Sequence, residues 1–272
     1  MAIVTHGSDL TLAPTLRPLI QAAGGTLRQA LDRLAGRGVG PVQLDATLAG
    51  LRPRELDERA RRELAALIRR RGAYPAGLDL FIPRKHYLER EHVDRAVAAS
   101  VAAIELAADL GRLPVSLALP VASVDESVRH ALVEAADGRG VPLAVHGEDE
   151  LDALQRWLDE LDLPGIGAAV DPAAVLAGGG DPVQVVQRLA PRLVVARVSD
   201  VERGGDADDR THSQAVRCRL GAGVLDVAAY RISVDLAERR VGPVVLELRG
   251  LAEPFAAVAA ARGAWDSAAF EV

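Results

Sequence analysis

The sequence predicts a single (β/α)8 barrel, and three observations predict it. From about residue 26 onward, helix-like segments alternate with short β-branched apolar runs, the sequence form of a parallel sheet with crossover helices. Those runs are regularly spaced and bounded by Gly and Pro. The 272 residues suit one barrel of roughly 250 residues, and no linker or composition shift marks a second domain. Residues 1–25 are read as an N-terminal segment that includes the first strand.

The first clear helix, 26–35, puts Leu27, Ala30, Leu31 and Leu34 on one face before Gly36 and Gly38 stop it. A strand at 41–45 follows, then an amphipathic outer helix over 52–71 with Leu56, Ala60, Leu64, Leu67 and Ile68 on its apolar side. Next come a strand at 78–82, an alanine-rich helix at 92–110 closed by Gly111, and a strand at 114–119. Ser123 with Glu126 three residues on reads as a capping box for a helix through Ala136. A strand at 142–146 leads to a helix at 150–161, whose acidic start, Glu148–Glu150, suits the positive end of a helix dipole.

The strand at 166–171 precedes a helix interrupted by Gly178–Gly180 and restarted at Asp181-Pro182, an N-cap followed by proline at the first helical position. The seventh strand is 193–198 and the eighth 244–247, with helices at about 226–240 and 252–262. The segment 200–223 exceeds a plain connector and reads as either a lid over the barrel mouth or a disordered insertion. The first strand lies at either 2–5 or 16–20.

Composition narrows the function. With 49% hydrophobic residues, 26% charged and a net charge of −6, the chain is that of a soluble globular protein rather than a disordered or fibrous one. No apolar run approaches the ~20 uncharged residues that cross a bilayer, and no basic leader opens the chain, so a cytoplasmic protein without membrane association is expected. The single cysteine, Cys218, rules out an intrachain disulfide and a cysteine-based zinc site. Arginines interleaved with carboxylates in an acidic chain argue against nucleic-acid binding. Lys85, the only lysine, falls in a loop, which removes most Schiff-base chemistry. Aromatic residues are 3% of the chain, with Trp157 on an outer helix and Trp265 in the C-terminal tail, so a sugar site would rely on hydrogen bonds and charge.

Function in such barrels collects at the C-terminal ends of the strands. The polar residues ending otherwise apolar strands are Asp45, His146, Asp171, Arg197 with Asp200, and Glu247 with Arg249, with His86 slightly beyond its strand. Adjacent strands lie ~4.8 Å apart, so His146, Asp171, Arg197 and Glu247 would share one ligand-sized region. A buried polar cluster of that kind is either a site or a cost to folding. His212 falls in the long 200–223 segment; His6, His92 and His130 read as structural or exposed.

The stretches GVPLAVHG at 140–147, IGAAVDPAAVLAGGGDP at 166–182, LVVARVSD at 193–200, RLGAGVLD at 219–226 and GPVVLE at 242–247 together resemble the xylose isomerase-like barrel superfamily of sugar and sugar-phosphate isomerases and epimerases. The resemblance covers about 26–261. It implies one divalent metal held by a glutamate ending the fifth strand, an aspartate ending the sixth, a histidine on the seventh and a glutamate ending the eighth. Asp171 and Glu247 match that pattern. His146 stands where the first glutamate is expected, Arg197 stands where the family shows histidine, Ala174 replaces a frequent histidine, and Ala222 replaces the acidic residue of a Leu-Gly-Glu-Gly loop.

Two expectations follow from the resemblance. In one, His146, Asp171 and Glu247 are the catalytic and metal-binding residues of a sugar isomerase or epimerase, holding Zn²⁺, Mn²⁺, Mg²⁺ or Co²⁺ while carboxylates move a proton. In the other, Arg197 replaces the metal's charge, pairs with Asp171 and Glu247, and leaves a metal-free barrel for an anionic carbohydrate-like ligand or a protein partner. Under either, Arg197, Arg249, Asp45, His86 and Arg219 are the substrate-binding candidates. The sequence is compatible with a homo-oligomer.

Overall fold

In a computed structural model, described for residues 10–202, 216–237 and 242–269, eight parallel strands form a barrel. They are β1 (Leu12–Pro14), β2 (Pro41–Asp45), β3 (Tyr74–Leu80), β4 (Val115–Ala118), β5 (Leu143–His146), β6 (Ile166–Val170), β7 (Leu193–Val198) and, eighth in the barrel, β10 (Val244–Leu246). Neighbours follow chain order, with β10 between β7 and β1. A single bridge, Thr15 to Gln43, joins β1 to β2 and closes the ring. The helices are α1 (Leu16–Ala22), α2 (Leu27–Ala35), α3 (Glu58–Arg70), α4 (Val93–Asp109), α5 (Glu126–Asp137), α6 (Leu151–Leu161), α7 (Pro172–Ala177), α8 (Pro182–Leu189), α9 (Val227–Asp235) and α10 (Pro254–Ser267). A two-residue pair, β8 (Asp200–Val201) and β9 (Arg217–Cys218), runs antiparallel just past β7.

Several elements differ from the sequence reading. The first strand is Leu12–Pro14; residues 16–20 belong to α1, where Leu16, Leu19 and Ile20 bury a helical face, and residues 2–5 lie outside the described residues. Asp125, not Ser123, precedes α5 as its N-cap residue. Trp265 is not in a tail: it is buried in α10, and its indole N–H donates to the Leu10 carbonyl at 2.7 Å, tying the last helix to the entry of the first strand. Residues 203–215, with His212, lie outside the described residues, as does His6.

The core is the layer between strands and helices, filled by Leu, Ile and Val from both. Inside the ring a smaller apolar layer of Ala144, Ala169, Val195 and Val245 forms its own cluster. Two residues further along the same strands, period-two alternation brings His146, Asp171, Arg197 and Glu247 to the same face. Glycine is required where β6 meets β7: a Cβ on Gly167 would sit 2.2 Å from the Arg192 carbonyl oxygen, next to the register shift between Ala168 and Ala169.

Candidate functional site

The barrel's C-terminal mouth opens into a cavity of about 390 Å³, within the range of small-molecule pockets. Leu80, Phe81, Ile82, Pro83, Leu117 and Ala118 from the ends of β3 and β4 make an apolar wall. Ser116, His146, Glu148, Asp171, Arg197 and Arg249 supply the polar lining.

Arg197 is the centre of this lining and only 1% exposed. Its guanidinium donates to Glu247 Oε2 at 2.9 Å, to Ser116 Oγ at 3.0 Å, to His146 Nε2 at 3.2 Å and to Asp79 Oδ1. Asp79 also accepts from Gln43 Nε2 at 2.8 Å and from Ser116 Oγ at 2.7 Å. One planar fork of donors thus joins β3, β4, β5, β7 and the end of β10 across the ring. Burial works against the charged guanidinium, but the carboxylates of Asp79, Glu247 and Asp171 outweigh it and hold Arg197 firmly protonated. The expected pairing of Arg197 with Glu247 is present. Its expected pairing with Asp171 is replaced by Asp79, because Asp171 is taken by another arginine.

That other arginine is Arg217, on β9, which donates to Asp171 Oδ2 at 2.7 Å. Asp171 Oδ1 accepts from Ser199 Oγ at 2.6 Å and from the Ala173 amide at 3.1 Å, so the same carboxylate is the N-cap of α7. Burial alone would raise its pKa, yet Arg217 and the charge of Arg197, with the Ser199 hydroxyl, hold it well below the usual carboxylate range. Glu247 shows the same balance: burial opposed and outweighed by Arg197 and Arg249, leaving it lowered. Its Oε1 accepts from the Arg249 amide at 2.9 Å and from Thr15 Oγ1 at 3.3 Å, and its Oε2 from Arg249 Nη2 at 2.8 Å.

His146 is fixed from both sides. Its Nδ1 lies 2.7 Å from Glu148 Oε1, an acceptor, while Nε2 accepts from Arg197; these partners select the tautomer with the proton on Nδ1. Glu148 Oε1 also accepts the Asp171 amide at 2.9 Å. Arg249 lies over the Phe81 ring with its guanidinium carbon 3.8 Å from the centroid. Its side chain is 38% exposed, and its Nε is buried with no hydrogen-bond partner.

The structure therefore brings His146, Asp171, Arg197 and Arg249 to the cavity, with Glu247 buried directly behind them. It places the others elsewhere. Asp45 accepts from the Thr47 amide at 2.7 Å and pairs with Arg17, capping the loop after β2. Arg219 is exposed, and neither it nor His86 lines the cavity. Asp79, Ser116, Glu148 and Arg217 were missed by sequence reasoning. A signal existed for two of them: Asp79 and Ser116 are polar residues at inward positions between apolar neighbours, Leu78 and Leu80, Val115 and Leu117.

No family model and no curated protein matches this sequence. Solved structures do match. A xylose isomerase domain protein from Planctomyces limnophilus superposes with a TM-score of 0.76 at 17% identity, covering 95% of this chain and 96% of that one. The fold is that of the xylose isomerase-like barrels. The IolI protein with a bound zinc atom matches at a TM-score of 0.70 and 15% identity, covering 95% and 97% of the two chains. A D-tagatose 3-epimerase-like protein matches at 0.70 and 13%, covering 95% and 98%. No helix among the described residues is long and apolar enough to cross a membrane.

The metal site implied by the resemblance does not fit this barrel. Arg197 cannot ligate or give up its proton, and its guanidinium already bonds two of the proposed ligands, His146 and Glu247. Both oxygens of Asp171 and both of Glu247 accept from other groups, arginine side chains among them. A cation placed among them would meet a fixed positive charge at a few ångströms.

The lowered pKa of Asp171 and Glu247 sets an acid limit. A carboxylate whose pKa is lower in the folded chain stabilises the fold above its unfolded value, about 3.9 for Asp and 4.3 for Glu, and loses that contribution as pH falls through the folded value. Melting temperature measured from pH 7 down to pH 3 is expected to begin falling near pH 4–5. Asp171→Asn should show a shallower acid limb than wild type; parallel limbs would contradict the charge assignment.

Proposed function

We propose that this barrel binds a small polyhydroxylated ligand carrying an anionic group, and that Arg197 fills with a fixed guanidinium the position of the resembled family's metal. The observation that carries this reading is the buried Arg197, whose donors are shared among Asp79, Ser116, His146 and Glu247. The site binds and orients without metal. Asp171 and Glu247, lowered in pKa and saturated with donors, are poor proton acceptors. They act by holding Arg217, Arg197 and Arg249 in place.

The ligand's two sides follow from the lining. The apolar wall from Leu80 to Pro83 and Leu117 to Ala118 fits the C–H face of a sugar-like ring. On the other side Arg249, braced on Phe81 and Glu247 with its side chain 38% exposed, offers its guanidinium to an anion. A carboxylate or phosphate there would gain a charge-assisted hydrogen bond. The small, sugar-sized cavity and the sugar-epimerase-like structural neighbours both support this ligand class.

Calorimetric titration tests it with gluconate and glucuronate against glucose. The anionic sugars are expected to bind more tightly than glucose, and Arg249→Gln should remove that preference, a loss of about 1.5–3 kcal/mol, or roughly tenfold to a hundredfold. Uptake of Mn²⁺ should be the same in wild type and Glu247→Gln. One equivalent of Mn²⁺ lost on Glu247→Gln, or glucose binding as tightly as the acids, would overturn the reading.

A further inference from the structure

The turn between β3 and α4 carries a second group of ligating side chains, outside the cavity lining. His86, Glu89 and His92 recur at every third residue, and the chain turns through the 3-10 segment Arg84–Tyr87 toward α4, so the three come together on one side. One ligand atom from each lies within 4.8 Å of the others. The imidazole rings are 4.5 Å apart between centroids and tilted by 53°. His92 Nε2 stands 3.6 Å from Glu89 Oε2, and that oxygen is buried with no hydrogen-bond partner. A carboxylate oxygen shut off from water without a donor calls for a partner.

We propose that His86, Glu89 and His92 bind one Zn²⁺ ion at the barrel rim. Two imidazoles and a carboxylate are a set that zinc takes, with a fourth position left for water or a ligand. Ligands at about 2.1 Å on a tetrahedral ion stand about 3.4 Å apart, so the His92–Glu89 pair already has the spacing and the group as a whole closes by on the order of 1 Å. The segment is short and partly exposed, which makes that adjustment local. Pro83, on the cavity wall, immediately precedes it, and Arg84 ties it to Asp149 and Glu150 at the start of α6. The ion would fasten the loop that continues the apolar wall. This site is independent of the arginine-filled centre and of the function proposed for it.

Two cations now stand beside the group. Lys85 Nζ is 3.8 Å from Glu89 Oε1, and Arg95 Nη2 is 2.8 Å from His92 Nδ1. Both side chains are exposed. Lys85 competes for the carboxylate, and Arg95 opposes the tautomer with the proton on Nδ1 that frees Nε2 to ligate. Their removal should therefore tighten zinc binding.

The test uses the tag-free full chain, titrated with Zn²⁺ against a chromophoric chelator. One equivalent is expected to bind. His86→Ala and His92→Ala should each weaken it by at least the roughly 10–100-fold that loss of an outer partner costs at other zinc sites. Arg95→Ala should strengthen it, and Glu247→Gln should leave it unchanged. Circular dichroism of each variant confirms the fold. Zinc binding that survives the double change His86→Ala/His92→Ala, or no binding by the wild type, overturns the proposal; dependence on Glu247 would place the ion in the cavity and overturn the assignment as well.

Discussion

Replacing Arg197 with alanine is expected to destabilise the barrel by about 3–5 kcal/mol, the cost of removing one partner from a buried ion pair. For a chain of this size that is a fall of roughly 6–20 °C in melting temperature. The reason is geometric. Asp79 and Glu247 are 1% and 2% exposed, and both pair with the same guanidinium. Without it, Asp79 is left with Gln43 and Ser116 but no counter-charge in a low-dielectric interior, and Glu247 keeps only Arg249. Arg197→Lys should recover only part of the loss, because one ammonium cannot reach all four acceptors as a planar fork does.

The pH dependence separates this cause from simple loss of packing. Arg197 is one of the charges that lower Glu247. In Arg197→Ala the folded-state pKa of Glu247 rises, so the variant's deficit should narrow as pH falls, where protonation relieves the buried charge. Arg197→His should be equally unstable in chelator and regain stability with Mn²⁺ or Zn²⁺, since a ligand that binds only the folded state stabilises it. A loss below about 1 kcal/mol, within the range of exposed ion pairs, would show that the guanidinium does not hold the centre together.

Much of the barrel was legible because its signals are local. Strands are short apolar runs, Thr26 and Asp181 cap the helices that follow them, and period-two alternation turned His146, Asp171, Arg197 and Glu247 to one side. The first strand was hidden because three residues, Leu12–Pro14, carry no periodicity, and the adjacent apolar run Leu16–Ile20 is a helix whose buried face looks the same over five residues. Partner choice was also hidden. Arg197 could reach Asp171 or Asp79, and the winner depended on Arg217, which comes from β9, a strand of two residues that pairs with β8. Glu148 was read as a helix-start charge because the sequence cannot show that its loop folds back over His146.

Asp200→Asn is the second change expected to have a large effect, about 2–5 kcal/mol, and it acts on the site from behind. Asp200 is 0% exposed. Its Oδ1 accepts from the amides of Val201 and Leu225 at 2.9 and 3.0 Å, and its Oδ2 from those of Gly221 and Gly223, both at 3.0 Å. An ionised carboxylate can accept all four; asparagine has one acceptor oxygen and would turn an N–H₂ toward two donors, each unsatisfied group costing about 1–3 kcal/mol. The Gly-rich stretch that resembles a family loop is thus wound around an aspartate. At Gly223 a Cβ would lie 2.1 Å from the Val201 carbonyl oxygen and 2.3 Å from Asp200 Oδ1, so only glycine fits there. Because Asp200 pairs with Cys218 and Val201 with Arg217, loosening this wrap should also release Arg217 from Asp171. Hydrogen exchange of the amides of Gly221, Gly223 and Leu225 is expected to accelerate in Asp200→Asn, and the variant's acid limb to become shallower, as in Asp171→Asn. Protected amides with an unchanged acid limb would show that the wrap and the arginine are held by something other than Asp200.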